Sequence, residues 1–326
     1  MKNVLLKAAI ALPLLAALAS AQEAKPAEQH PGGGEVHILK VQGNIYMLVG
    51  AGGNIAVSVG NDGVLLVDTG LANMSDKVIA AIRTLSTKPI HYIINTHVHA
   101  DHTGGNEAIA KIGTTIVGGN VTGDIADAGQ GAAVIAQETV LDRMSAPTGK
   151  QSAMPQGAWP TDTYTEEKNM YFNGEGIQIM HQPAAHTDGD SLVYFRRSDV
   201  VVTGDIFTPE RYPIIDLQRG GSINGIIAGL NHLIDITIPA SKQEGGTYII
   251  PGHGRLCDQA DLVFYQEMVT IIRDRVQASI KKGMTMEQVV ASKPTRDYDP
   301  VFGATTGFWT RDKFVEAVYK SLSGEK

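Results

Sequence analysis

The interpretation of this sequence depends on one stretch, Thr96-His97-Val98-His99-Ala100-Asp101-His102. Three imidazoles and one carboxylate fall within six residues, directly after an apolar run that predicts a strand. If the stretch is extended, His97, His99 and Asp101 face one side and His102 faces the other. Neutral imidazole nitrogens suit Zn²⁺, and a carboxylate adds a hard oxygen and negative charge. The pattern therefore predicts two ligands for one metal ion and two for a neighbouring ion.

Three further candidate ligands lie downstream, each where a predicted strand begins or ends. His186 lies in a turn between two strands, Asp205 follows a buried strand, and His253 follows another strand in Pro251-Gly252-His253-Gly254. Taken singly, each is more simply read as a turn or capping residue. Taken together they favour a functional site, because rigid strands commonly present side chains from their ends.

The composition is that of a globular protein and excludes several classes of function. The chain has 326 residues, of which 43% are hydrophobic and 19% charged. Its net charge of −7, with no run of Lys or Arg, argues against nucleic acid or an anionic membrane surface as the main partner. The single cysteine, Cys257, excludes a disulfide framework and a four-cysteine zinc site.

Residues 1–21 have the pattern of a secretory signal peptide. Lys2 and Lys7 precede the apolar run Ala8–Leu18, and Ala19-Ser20-Ala21 is typical of a cleavage site. The alternatives are an uncleaved anchor or a buried helix, but the apolar run is short for a membrane span. We therefore expect a periplasmic or secreted protein with no stable membrane insertion after cleavage.

The rest of the chain predicts one domain preceded by a polar lead-in. Residues 22–34 are predicted to be flexible, and 35–326 to form a single α/β domain in which helices cover two sheets. An irregular insert is expected near 118–167, containing one helix over Ala132–Met144. Helices are expected to fill 258–326, one of them starting with a capping box at Thr285.

The ligand pattern closely resembles that of the metallo-beta-lactamase superfamily. The resemblance runs from about Val36 to Cys257 and is carried by His97-x-His99-x-Asp101-His102, His186, Asp205, His253 and the preceding Val67-Asp68-Thr69-Gly70. It implies a four-layer αββα sandwich, with the site at one edge between the two sheets. The implied domain is thus a metallo-hydrolase domain.

The resemblance also implies a role for each residue. One metal would be held by His97, His99 and His186, and a second by Asp101, His102 and His253. Asp205 would bridge the two ions, and Asp68 would be a buried carboxylate that orients the histidine loop. The expected ions are two Zn²⁺, with Fe or Mn as alternatives. Cys257 follows His253, so it cannot take the place of Asp205, where one lactamase subclass has a cysteine ligand.

The implied function is a hydrolase in which a metal-bridging hydroxide attacks the carbonyl of an amide, ester or lactone bond. Asp101 would orient the hydroxide and accept its proton, and a beta-lactam is the leading named substrate. One alternative is an iron-dependent redox enzyme on the same fold, and another is a lactonase-, thioesterase- or phosphodiesterase-type hydrolase. Metal binding without catalysis is disfavoured, because structural zinc is closed by four protein ligands.

The substrate contacts are the least specific part of the interpretation. A small-molecule substrate is expected, and the sequence leaves the oligomeric state open. Arg211 and Tyr212 follow Asp205 closely and are candidates to bind a substrate carboxylate or carbonyl, with an ordinary surface pair as the alternative. Met144, Met154 and Trp159 are candidates for an apolar lid or for ordinary core positions.

Overall fold

The computed structural model of the chain describes residues 34–115, 131–148 and 151–324. The predicted signal peptide and residues 22–33 of the lead-in lie outside the described residues, as do 116–130 and 149–150 of the predicted insert. In the described part of the chain, no helix combines the length and apolar character that a membrane span requires. The domain boundaries expected from the sequence stay a prediction.

The first sheet has seven strands in the order β1-β2-β3-β4-β5-β6-β9, and β7 and β8 form a separate short pair. In chain order these strands are β1 His37–Gln42, β2 Ile45–Val49, β3 Ile55–Gly60, β4 Gly63–Val67, β5 Ile90–Ile94, β6 Ala133–Gln137, β7 Pro147–Thr148, β8 Gln151–Ser152 and β9 Asp162–Tyr164. Pairing is antiparallel from β1 to β4 and parallel from β4 through β5 and β6 to β9. Every residue of β4 is buried, which agrees with a strand covered on both faces.

The second sheet has five strands in chain order: β10 Glu167–Phe172, β11 Glu175–Gln182, β12 Asp190–Phe195, β13 Val200–Val202 and β14 Tyr248–Ile250. Pairing is antiparallel except between β13 and β14, which run parallel. The turn from β10 to β11 is Asn173-Gly174, with φ of 52° and 81°. Two successive left-handed residues are what a tight hairpin turn requires, so Asn-Gly fixes the register of this hairpin.

Helices cover the outer faces of both sheets. They are α1 Ser75–Leu85, α2 Ala100–Thr103, α3 Asn106–Lys111, α4 Glu138–Ser145, α5 Ile223–Ile236, α6 Gln259–Lys281, α7 Met286–Ala291, α8 Asp299–Phe302 and α9 Arg311–Ser323. The capping box predicted at Thr285 begins α7, and the Ser222 hydroxyl accepts a hydrogen bond from Gly225 at the start of α5. These caps satisfy amide groups that the first turn of a helix leaves unpaired.

The layers form the αββα sandwich that the sequence predicted. The two sheets face each other through one apolar core, to which Leu65 and Ile94 contribute from the first sheet and Ile179 and Val193 from the second. A second core lies between the first sheet and helices α1 and α3. A third lies between the second sheet and helices α5, α6 and α9. Burial of the facing apolar surfaces is the main term that stabilises such layers.

The helix predicted over Ala132–Met144 is only partly correct. Ala133–Gln137 is strand β6, which lies between β5 and β9, and only Glu138–Ser145 is helical. The apolar residues Val134, Ile135 and Ala136 are all buried. A short run buried on both faces is compatible with a helix or a parallel strand, and here the neighbouring strands decide.

Candidate metal centre

The histidine run begins where strand β5 ends, but it is not extended throughout. Residues Ala100–Thr103 form the short helix α2, so the expected alternation along an extended chain is wrong. The helical turn changes where Asp101 and His102 lie, and the rings of His97 and His102 stay close, with centroids 4.2 Å apart. His97 and His99 join one group of metal-binding atoms and Asp101 and His102 join another, while His97 and His102 also form a group with Asp205.

The other three candidate ligands reach the same edge of the sandwich from the second sheet. Asp205 and His253 follow the parallel strands β13 and β14, and His186 precedes β12, which is antiparallel to β13. Strand direction therefore brings all three to one edge. There the two sheets are joined directly, because the Ser191 amide donates to the Thr96 carbonyl at 2.8 Å.

The first site is formed by His97, His99 and His186. The Nδ1 atom of His99 lies 3.1 Å from Nε2 of His97 and 2.9 Å from Nε2 of His186. His97 and His186 are fully buried. Three ring nitrogens thus converge on one point, an arrangement that suits three ligands around one cation.

The second site is formed by Asp101, His102 and His253. Nε2 of His253 lies 3.2 Å from Oδ2 of Asp101 and 3.3 Å from Nε2 of His102. Unlike the first site it includes a carboxylate, and it is more open, since the Asp101 side chain is 36% exposed and that of His253 is 19% exposed.

Asp205 lies between the two sites. Its Oδ1 atom is 3.3 Å from Nε2 of His102 and 3.5 Å from Nε2 of His253, whereas Oδ2 is 3.8 Å from Nε2 of His186. Within the described residues, the buried Oδ1 has no hydrogen-bond partner. A buried carboxylate oxygen without a partner is costly, and divalent cations would satisfy it. The donor set therefore fits a pair of divalent cations.

Protonation also favours metal binding at the first site. Burial lowers the pKa of His97 well below its usual value and that of His186 to about 4. Both rings are therefore neutral at pH 7, and a neutral imidazole has the lone pair that a metal requires.

At the second site the pKa of a histidine is raised instead of lowered. Burial opposes the charge of His102, but the carboxylates of Asp101, Asp205 and Asp68 outweigh it and raise its pKa well above the usual value. Burial likewise opposes the charge of Asp101, but His102 and His253 hold its pKa well below the usual range.

Asp68 lies directly behind the second site, as the resemblance implied. It accepts hydrogen bonds from the Thr96 amide at 2.8 Å, from the Thr96 hydroxyl at 2.7 Å and from Nδ1 of His102 at 2.7 Å. With Nδ1 bound to a carboxylate, the ring of His102 presents Nε2 to the cluster. The backbone of Asp68 is left-handed, with φ of 65°, which is uncommon for a residue other than glycine.

A second carboxylate, Asp216, lies behind the first site and was missed from the sequence. Its Oδ2 atom accepts hydrogen bonds from Nε2 of His99 at 2.8 Å and from Nη1 of Arg219 at 2.7 Å. This contact orients His99 as Asp68 orients His102. No local motif marks Asp216, because only the tertiary fold brings the loop after Asp205 against the histidine run.

Two glycines allow backbone to pack directly against the ligands. A Cβ atom on Gly53 would lie 2.3 Å from Cε1 of His102, and one on Gly252 would lie 2.0 Å from Oδ1 of Asp205. Either atom would force a ligand to move.

The two predicted substrate contacts have different outcomes. Tyr212 is fully buried, stacks on Phe314 with ring centroids 4.7 Å apart, and donates its hydroxyl to Asp299 at 2.9 Å. Its placement among substrate contacts is therefore corrected, because its hydroxyl is engaged within the helical layer. The backbone carbonyl of Arg211 accepts a hydrogen bond from Tyr265, and a substrate contact by the Arg211 side chain stays a prediction.

The apolar residues proposed as a lid pack together beside the histidine run. Met144 is fully buried, with Ala136 and Val140, so it is a core residue. Met154 and Trp159 are partly buried against the same small core, as is Val98 from the histidine run. They form a wall close to the cluster, and a lid motion of this wall stays a prediction.

Comparison with known proteins gives one curated relative, a linear primary-alkylsulfatase from a Pseudomonas species. It is 23% identical over 258 residues, which are 70% of this chain but 47% of the alkylsulfatase. The chain therefore spans about half the length of the curated relative that it matches.

Solved structures with the same fold include enzymes of two kinds. The stereoselective inverting sec-alkylsulfatase Pisa1 from Pseudomonas sp. superposes with a TM-score of 0.62 at 16% identity, covering 87% of this chain and 50% of that enzyme. A metallo-beta-lactamase from Pontibacter korlensis has a TM-score of 0.54 at 16% identity, covering 72% of this chain and 99% of that protein. The DIM-1 metallo-beta-lactamase has a TM-score of 0.53 at 15% identity, covering 73% and 98%.

The sequence profile of the metallo-beta-lactamase superfamily matches residues 41–253, a range that includes every candidate ligand. With the αββα sandwich and the clustered histidines and aspartates, this match settles the family. The chain belongs to the metallo-beta-lactamase superfamily.

Proposed function

We propose that the chain is a dinuclear metal-dependent hydrolase that attacks the carbonyl carbon of an amide, ester or lactone and breaks its C–N or C–O bond, with a beta-lactam as the leading named substrate. The observation that carries this proposal is the pair of three-ligand groups beside one shared carboxylate, Asp205. The centre is open to water and substrate on one side, because Asp101, His253 and His99 are partly exposed.

The ligand types indicate which ions the centre would hold. Histidine nitrogens with carboxylate oxygens suit Zn²⁺, and they also accept Fe or Mn. We propose two Zn²⁺ ions as the working pair. When bound, such a pair supplies a water of lowered pKa as the nucleophile and polarises the oxygen of the attacked group.

Asp101 is proposed to be the catalytic proton acceptor. Its carboxylate is the most exposed of those in the cluster, and its pKa lies well below the usual range because His102 and His253 outweigh the effect of burial. It is therefore ionised at neutral pH, which is the state that can orient a water and take its proton. Asp205 is buried and lies between the two sites, so it suits the role of a shared ligand.

Exposure indicates the side from which a substrate reaches the centre. His97, His102 and His186 are fully buried, whereas Asp101, His253 and His99 are partly exposed. A substrate carbonyl is therefore proposed to enter on the side of the exposed ligands, and Arg211 remains a candidate to bind its anionic group.

Sulfate-ester hydrolysis is a second candidate function. It is favoured by the similarity to the linear primary-alkylsulfatase and by the superposition on the sec-alkylsulfatase. A centre of two cations would also accept the oxygens of a sulfate group.

The test is a hydrolysis panel on protein stripped of metal and reloaded with Zn²⁺. The panel contains nitrocefin, a lactone, a thioester, a phosphodiester and an alkyl sulfate. We expect hydrolysis of a carbonyl substrate that requires the metal and is lost in Asp101→Ala. Asp274→Asn, at an exposed position on α6, is the control and should behave as wild type.

The panel separates the rival functions. Turnover of the alkyl sulfate alone would favour the second candidate. Full activity of the stripped enzyme would refute both, and iron in the purified protein with no hydrolysis would favour the redox alternative.

Localisation is proposed from the N-terminal sequence. The charged residues, apolar run and small residues of 1–21 support export to the periplasm or the medium. Sequencing the N-terminus of the protein from the periplasmic fraction should give Gln22 as the first residue. Recovery of the intact N-terminus from the cytoplasm would contradict export.

A further inference from the structure

The segment Gly52-Gly53-Asn54, between β2 and β3, contacts every element that supplies a ligand to the second site. The Gly53 amide donates to the backbone carbonyl of Asp101 at 2.9 Å. The absence of a side chain on Gly53 lets this backbone lie against the His102 ring, where a Cβ atom would fall 2.3 Å from Cε1. The segment therefore reaches two ligands through its glycines alone.

Asn54 reaches the third ligand by holding both sides of the turn that carries His253. Its side-chain amide donates to the carbonyls of Pro251 at 2.9 Å and Gly254 at 3.0 Å. Its backbone amide donates to the Gly252 carbonyl at 2.8 Å. Asn54 is only 3% exposed, so loss of its amide would leave two carbonyls without their partner in a place that water reaches poorly.

We propose that Gly52-Gly53-Asn54 is a positioning segment that builds the second metal site and leaves the first one unaffected. It brings together Asp101 and His102 from the first sheet and His253 from the second. In the described part of the chain, none of its hydrogen bonds reaches His97, His99 or His186. The inference rests on the dinuclear centre of the proposed function and adds residues that support the ligands of one of its two sites.

Asn54→Ala tests the proposal by metal titration of the full chain. Calorimetry with Zn²⁺ should give two equivalents in wild type. In the variant, the affinity for one equivalent of Zn²⁺ should fall by about 10- to 100-fold, the usual effect of removing a residue that supports metal ligands. The other equivalent should be unchanged, and the melting temperature of the metal-free protein should stay close to that of wild type.

Asn44→Ala is the matched control. Asn44 also connects the two sheets, donating to Ser58 of the first at 3.1 Å and accepting from Ser198 of the second, but it takes no part in the cluster. Both equivalents should bind to this variant as in wild type. A general loosening of the sheet would instead weaken metal binding in both asparagine variants.

A pair of glycine variants tests the same segment without removing a hydrogen-bonding side chain. Gly53 has no positive φ, so Gly53→Ala acts through the collision with His102 and should weaken the same single equivalent. Gly176→Ala is its control, because the nearest atom to a Cβ there is Cδ of Arg196, at 3.8 Å. This pair also serves if Asn54→Ala fails to fold.

The affected equivalent is assigned by combining variants. Asn54→Ala added to Asp101→Ala should cause little further loss of affinity, because both act on the second site, whereas Asn54→Ala and Asp216→Asn should each affect a different equivalent. Equal weakening of both equivalents, or of neither, would overturn the inference while leaving the proposed function intact. A single equivalent in wild type would refute the dinuclear function, and the inference with it.

Discussion

The two metal sites differ in chemistry, burial and construction. The first has three imidazoles, two of them fully buried and held neutral by burial. The second has one carboxylate and two imidazoles, and two of its three ligands are partly exposed. One site is thus built for retention of an ion, and the other combines an ion with a proton acceptor that solvent and substrate can reach.

The carboxylates that support the two sites differ in burial in the opposite sense to the ligands. Asp68, behind His102, is 1% exposed and has three hydrogen bonds from Thr96 and His102. Asp216, behind His99, is 13% exposed and is shared with the exposed Arg219. The more open site therefore has the more deeply buried support, and exposure of a ligand does not mean that it is loosely held.

The largest effect is expected from Asp205→Ala, which removes the group common to both sites. Both metal ions should be lost and hydrolysis should become undetectable, because each site loses an anionic neighbour at once. Metal analysis of the purified variant checks this, with Asp274→Ala as a control at an exposed position. Retention of two tightly bound ions would show that Asp205 is not shared.

Asp101→Ala is expected to separate binding from chemistry. Loss of a general base commonly reduces the rate by about 10²- to 10⁴-fold, and we expect kcat to fall in that range. The first site should still hold its ion, since Asp101 belongs to the second group. Steady-state kinetics together with metal analysis measure both effects, and wild-type kcat would refute the assigned role.

Asp68→Asn and Asp216→Asn should each weaken one site by about 10- to 100-fold in metal affinity. The first change acts through His102 and the second through His99. Titrating both variants with Zn²⁺ should therefore show complementary losses, with the untouched equivalent serving as the internal control. The same equivalent lost in both variants would contradict the division into two supports.

The smallest expected effect is a difference between the two sites in the number of protons released when a metal ion binds. Because nearby carboxylates raise the pKa of His102, its ring holds a proton more readily than those of His97 and His186, whose pKa values burial lowers, and a bound metal must displace that proton. Binding at the second site should release more protons, and its affinity should fall first as the pH decreases. Calorimetry in buffers of different ionisation enthalpy counts these protons. Greater release at the first site would contradict this assignment.

The ligand set could be predicted from the sequence because its chemistry is local. Four of the seven residues lie in a single run, and the others each adjoin a recognisable apolar strand. The conformation of the run was not predictable in the same way. The helical turn at Ala100 makes contacts with distant parts of the chain, such as the hydrogen bond from the Gly53 amide to the Asp101 carbonyl.

The supporting residues could not be found from local pattern. Asp216 and Asn54 carry ordinary side chains in unremarkable sequence, and they matter only because tertiary contacts place them against His99 and the His253 turn. Tyr212 shows the converse. Closeness in sequence to Asp205 suggested a substrate contact, but stacking on Phe314 buries it instead.

The tight packing of Gly53 and Gly252 has a consequence for anyone who redesigns this protein. A mutational library that varies these positions should yield mostly inactive clones, since any side chain there displaces His102 or Asp205. The back of the centre is therefore closed to remodelling. New specificity has to be introduced on the side where Asp101, His253 and His99 are partly exposed.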